Sequence, residues 1–190
     1  MNWIVDYKHS QIQATVRHMM ISKVHGSFDR FTVNAEIDEE HVAQSTVKVE
    51  IEAASVNTRD EKRDGHLRSA DFLDVEKFPS ITFKSKRSEV IDASHGRMTG
   101  DLTIRGVAHE VVLDVEHLGN GKSPWGTINA GFTAHAKVSR KDWGLNWNAA
   151  LETGGWLVSD EVNIDIEIEF TQVPELVEQA KPGEPVKVAA

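Results

Sequence analysis

NTRDEKRDGHLRSADFLDVEKFPS, residues 57–80, breaks the habit of the rest of the chain. Elsewhere apolar and polar residues alternate at the two-residue period of a strand; here the spacing reads as one or two short helices. Thr58 and Glu61 stand at capping-box spacing, Asp71 is placed to cap a second turn, and Pro79 ends the excursion. A lone helical plug inside a long series of strands predicts a closed sheet with one covered end. Such a barrel has a wall, a lid and an interior.

The strand signal is clearest at the end of the series. Val162, Ile164, Ile166, Ile168 and Phe170 alternate with Asn163, Asp165, Glu167 and Glu169, which gives one dry and one wet face. Val47, Val49 and Ile51 repeat the pattern against Lys48, Glu50 and Glu52. Further strands are predicted at 3–6, 13–20, 27–37, 81–86, 102–105, 111–115, 126–138 and 140–147, with turns at 38–40, near Gly106, at 94–96 and at 119–124. Eight to ten strands at hairpin spacing are the signature of an antiparallel barrel or sandwich.

Composition narrows the function classes. The formal charge of −9 argues against nucleic acid, whose phosphates need a basic surface. The absence of cysteine removes disulfides, thiolate metal sites and thiol nucleophiles. The start, MNWIVDYKHS, has neither a basic nor an apolar leader region, and no apolar run is long enough for a membrane span, so the expected location is cytoplasmic, with no stable membrane insertion. A periplasmic location is expected only if a signal was removed. Length and patterning predict one β domain over 1–172 and a flexible tail over 173–190.

The blocks RHMM (17–20), HLRSADFLDVEKFP (66–79), ITFKS (81–85), LTIRGVAHEV (102–111) and RKDWGLNW (140–147) resemble the YceI-like, lipocalin-like protein family, in order and with matching spacing from about residue 3 to 170. The resemblance implies an elongated eight-stranded antiparallel barrel that carries a long polyisoprenoid or similar amphiphilic lipid. It implies no cofactor besides that lipid. Many such proteins are periplasmic, and this chain resembles the cytoplasmic branch. The resemblance also implies a homodimer, which no residue pattern here establishes.

The residues themselves reach a compatible reading. An inward set of Val16, His18, Met20, Phe28, Val33, Ile81, Phe83, Leu102, Ile104, Phe132 and Leu145, with Trp143 at the mouth or as an end plug, makes an almost wholly apolar lumen. Ala14, Ala35 and Ala130 keep parts of it narrow but unfilled. The same residues would serve equally as a filled core. His18, in phase with Val16 and Met20, is the polar inward position and a candidate for a headgroup or a backbone carbonyl. A phosphate-bearing headgroup favours forked guanidinium groups, so Arg63, Arg68 and Arg140, with Lys141 and Trp147, are the remaining headgroup candidates.

Enzyme signatures are missing from the sequence. The nine histidines are scattered, and there is no nucleophile elbow, phosphate loop or dinucleotide fingerprint. No catalytic residue and no metal ligand is assigned. Two other classes stay open: a carbohydrate-binding sandwich using Trp125, Trp143, Trp147 and Trp156, and a metal-dependent hydrolase or isomerase using inward histidines. The expectation is a non-enzymatic lipid carrier.

Overall fold

Alternation becomes ladders in the computed structural model, which describes residues 2–38, 42–152 and 154–173. Among the described residues the strands are β1 (Asn2–Val5), β2 (Gln11–His18), β3 (Ser22–Phe28), β4 (Phe31–Glu36), β5 (Thr46–Glu52), β6 (Val56–Asn57), β7 (Ser80–Val90), β8 (His95–Ile104), β9 (Val107–Lys122), β10 (Ile128–Ser139) and β11 (Val158–Val173). All pairings are antiparallel, in the order β4-β5-β7-β8-β9-β10-β11-β2-β3-β6, and β1 adds to the far end of β11.

The two ends of that order are one bent hairpin. β3 runs into β4 across Asp29 and Arg30, and β5 runs into β6 through a 3-10 turn at Ala53–Ser55. β4 pairs with β5 while β3 pairs with β6, so chain continuity brings the ladder back on itself as eight staves. The result is an antiparallel barrel, as expected, but among the described residues its eight staves are made by eleven strands rather than eight, because two staves are broken at the bends and β1 is added at the rim. Closure leaves few free edges, which is how all-β folds avoid unwanted pairing. Strand directions place the segments 19–21, 53–79, 105–106 and 140–157 at one end and the turns 6–10, 91–94 and 123–127 at the other.

The helical excursion exists but is built differently from its prediction. One helix forms, α1 (Glu61–Arg68), and Asp60 caps it, with its carboxylate accepting from the Arg63 N–H at 3.1 Å. Thr58 is not the cap. It is buried, and its hydroxyl and N–H both donate to the Asp64 carboxylate at 2.5 and 2.9 Å. A charge-assisted bond in a dry setting outcompetes the exposed capping geometry. Residues 70–77 form successive turns rather than a second helix, and Asp71 meets His66 at 2.9 Å.

Two strand predictions also change. Residues 27–37 break between β3 and β4, and 140–147 is no strand: it opens as a 3-10 helix (Arg140–Trp143) that stops at Gly144, φ 72°. The predicted turn at 94–96 falls at 91–94, and that at 119–124 falls at 123–127, with Gly119 inside β9. The turn predicted at 38–40 lies partly outside the described residues, and so, Val173 apart, does the tail.

Candidate functional site

Ladder register assigns each side chain to a face, because directly paired residues point the same way. Reading across β3, β2, β11 and β10 gives three inward rows. Gly26, Ala14, Ile164 and Ala136 form one; Val24, Val16, Val162 and Val138 form the next. Ser22, His18 and Val158 close the stripe at the lid end. Short or stiff β-branched side chains dominate this wall, and most of them keep part of their surface accessible although they face inward. An inward side chain holds such surface only where space lies beside it.

The opposite wall is filled. Ile51, Ile81, Phe83, Leu102, Val111 and Leu113 are buried and form one cluster with Phe72 and Leu73 from the helical excursion and Trp143 and Leu145 from the 140–147 segment. Trp143 is 2% exposed, and its indole N–H donates to the Leu102 carbonyl at 3.1 Å. Gly100 makes room for this packing: a Cβ there would stand 2.5 Å from the Phe83 ring and from the Lys84 carbonyl oxygen. The interior is therefore asymmetric: it is packed along β5, β7, β8 and the start of β9, and looser along the lid-end parts of β2, β3 and β11, where the inward residues are half-buried, although Ile12 of β2 joins the cluster and Ala136, Val138 and Ile164 touch it.

The predicted inward set divides accordingly. Val16, His18, Val33, Ile104 and Phe132 face in and are half-buried; Ile81, Phe83 and Leu102 face in and are packed. Trp143 and Leu145 are buried plug residues rather than parts of a strand. Phe28 lines a 780 Å³ groove with Tyr7, Arg30, Phe31 and Glu52, where β4 parts from β2. Met20 is misassigned by alternation: it stands in the turn after β2, 59% exposed, because the strand ends at His18. Val24, Val158, Val162 and Val138 belong to the wall and were absent from the set, although the alternation in 162–170 already pointed to part of it.

The headgroup candidates fare worse, since their donors are already engaged. Arg63 donates to the Thr58 hydroxyl and carbonyl, both at 2.7 Å. Arg68 donates to the carbonyls of Ala54 and Val56 at 2.8 and 3.0 Å. Arg140 is buried and donates to the carbonyls of Leu145, Trp147 and Ser159 and to the Asp160 carboxylate. Burial pulls its pKa below the ordinary guanidinium value, and Asp160 opposes that. These arginines fasten the lid. Lys141 is exposed and paired with Asp160 at 2.8 Å, and Trp147 is packed between His66 and Phe72, with ring centroids at 4.6 and 5.3 Å. Among the described histidines only His18 has a ring without a hydrogen-bond partner, the others being engaged.

The rival site classes meet obstacles in the same geometry. Trp143 is buried, Trp147 is half-buried with its ring against His66 and Phe72, and the exposed Trp125 and Trp156 sit at opposite ends of the barrel, so no shared sugar platform forms. Asp6, His9 and Glu169 bring three donor atoms within 4.8 Å of one another, but Glu169 alternates with the inward Ile168 and Phe170 and faces outward. His109, edge-on to Trp143, donates to the Asp142 carbonyl at 2.9 Å, while His117 stacks on Phe132.

Comparison with known proteins agrees with this architecture. Residues 3–170 match the model of the YceI-like domain. The UPF0312 protein SAS2572 of Staphylococcus aureus (strain MSSA476) is 37% identical over 90% of this chain and 97% of its own length. The Campylobacter jejuni YCEI protein is similar in structure, with TM-score 0.71 and 34% identity over 83% of this chain and 90% of that one. Burkholderia cenocepacia BcnA shares the fold at TM-score 0.76 and 24% identity, covering 87% and 98%. A polyisoprenoid binding domain from Saccharophagus degradans shares it at TM-score 0.60 and 16% identity, covering 88% and 97%.

Proposed function

Because this chain belongs to the YceI-like family, we propose that its barrel binds and carries a long-chain isoprenoid or similar amphiphilic lipid, without chemistry of its own. The carrying observation is the row of inward, half-buried valines and small residues facing a packed plug. The description of the Saccharophagus degradans neighbour as a polyisoprenoid binding domain supports the same ligand class. Each buried methylene is worth roughly 0.8 kcal/mol, so an isoprene unit brings about 3–4 kcal/mol before ordering costs. The tail lies along the β2–β3–β11 wall, and the headgroup stays near His18 at the lid end.

Mass spectrometry of freshly purified, denatured protein should release a prenyl chain or a comparable lipid. A protein that arrives empty and takes up no prenyl alcohol from detergent would refute the proposal. Val16→Trp should fill the open side and abolish uptake while the β spectrum stays intact. Leu102→Arg, by contrast, buries an unpaired charge in the packed wall and should unfold the barrel. Unfolding by Val16→Trp would show that no space exists beside Val16.

A further inference from the structure

The hairpin between β2 and β3 carries an unusual turn. Ile21 N–H donates to the His18 carbonyl at 3.1 Å, and the two central residues, Met19 and Met20, have φ of 51° and 63°. This is a type I′ turn, which favours Asn-Gly because both central residues must adopt the left-handed region. Methionine has no local advantage there, so the strain points to a role for the side chains themselves. They project outward: Met19 and Met20 are exposed, and Ile21 is 82% exposed. The Met19 N–H donates to the Leu157 carbonyl at 2.8 Å, which brings the exposed Trp156 to the same tip.

A second observation lies just behind this apolar tip. Arg17 and Lys23 are direct cross-strand partners, both exposed. Like charges opposite each other are unfavourable, and neither belongs to an ion pair among the described residues. Elsewhere Arg30, Lys77, Lys86, Arg97, Lys137 and Lys141 each lie against a carboxylate, while Lys48 and Lys84 make a second exposed like-charged pair on β5 and β7, with no apolar turn beside it. In a chain of net charge −9, neither member of this pair lies within ion-pair distance of a carboxylate among the described residues, although Asp160 and Glu161 stand in the β11 bulge opposite Arg17.

We propose that Met19, Met20, Ile21 and Trp156 form a membrane-docking tip that enters the interface of a bilayer bearing anionic lipids, with Arg17 and Lys23 on the headgroups. Two residues of strand separate the charged pair from the outer residues of the turn, about 7 Å at strand rise. That matches the shallow 5–10 Å burial of interfacial anchors. Methionine adapts to irregular apolar surroundings, and tryptophan prefers a boundary with one dry and one wet side. His18, the inward residue next to the turn, then lies at the mouth that faces the bilayer. The docking itself stands apart from the carrier proposal, which supplies only its purpose.

Flotation with phosphatidylcholine vesicles, with and without phosphatidylglycerol, tests it. The wild-type chain should float with the phosphatidylglycerol vesicles and be released by salt. Arg17→Gln and Lys23→Gln should each weaken binding about fivefold. The double variant Met19→Asn/Met20→Gly installs the preferred turn residues, so it should melt no lower than wild type and yet lose at least about tenfold in binding. Lipid uptake from detergent should be unchanged in that variant, so an empty barrel that still floats would sink the carrier proposal alone. Failure of the wild type to float, flotation of the double variant like wild type, or a self-association that requires Met19 and Met20 would overturn the docking tip.

Discussion

Arg140→Met should destabilise the barrel more than a change at any exposed charge. The guanidinium is 4% exposed and gathers three carbonyls, from Leu145, Trp147 and Ser159, that methionine leaves without a donor. Each orphaned buried acceptor costs about 1–3 kcal/mol, so the gross loss of three is roughly 3–9 kcal/mol. Removing the charge returns part of the desolvation that lowers the pKa of Arg140, and the Asp160 contact is partly exposed and worth little. The net figure therefore falls near the lower end, about 3 kcal/mol, against a total of about 5–15 for such domains. Urea titration followed by tryptophan fluorescence should show the midpoint lower by about 1–2 M. Arg140→Lys should recover little, because an ammonium cannot fork toward three separated carbonyls. A midpoint shift under about 0.5 M, or a lysine variant equal to wild type, would refute this account of the lid.

Two further outcomes follow from the turns. At the 91–95 turn, hydrogen bonds from the Ser94 N–H and from His95 hold the Asp92 carboxyl at about 2, and Asp92 raises the pKa of His95. The Asp92 contribution is present above its unfolded value and fades as pH falls toward 2; the His95 contribution is present below about 6.5 and fades as pH rises through the raised value. Both are in place between about pH 4 and 6, and a proton-resonance titration of His95 should show a pKa above the ordinary value that Asp92→Asn abolishes. Gly106→Ala places a Cβ 3.1 Å from Phe78 Cε1 at a φ of 72°, and should cost about 1–2 kcal/mol in thermal unfolding.

Where a rule is local, the sequence was legible. The alternation of Val162 to Phe170 needs only neighbours, and β11 appears where it was read. The bend between β3 and β4 was also written there: Phe28 and Phe31 are an odd step apart, yet pair with the inward Val56 and Ile51, so the phase slips between them. The 140–147 segment misled because Trp143, Leu145 and Trp147 keep a strand's period. What overrides that period is Arg140, whose side chain collects carbonyls from Leu145, Trp147 and the start of β11. An arginine's choice of a distant backbone oxygen over a phosphate leaves no mark in composition or spacing. The same holds for Arg63 and Arg68, which look like mouth charges and act as lid fasteners.

The asymmetry of the interior also bears on which chains the proposed carrier would accept. An eight-stranded barrel leaves room for little more than its own side chains. Space therefore arises only where those side chains are short, and the rows of Gly26, Ala14 and Ala136 and of four valines supply that along one side. Alanine and glycine have no rotamers to lose and valine has few, so occupancy by a chain orders almost nothing in the wall. The rigid plug anchored by Trp143 and Arg140 holds the opposite side at fixed distance. A site of that kind discriminates by cross-section rather than by directional bonding. It should therefore grade saturated, branched and prenyl chains by girth while remaining tolerant of their length.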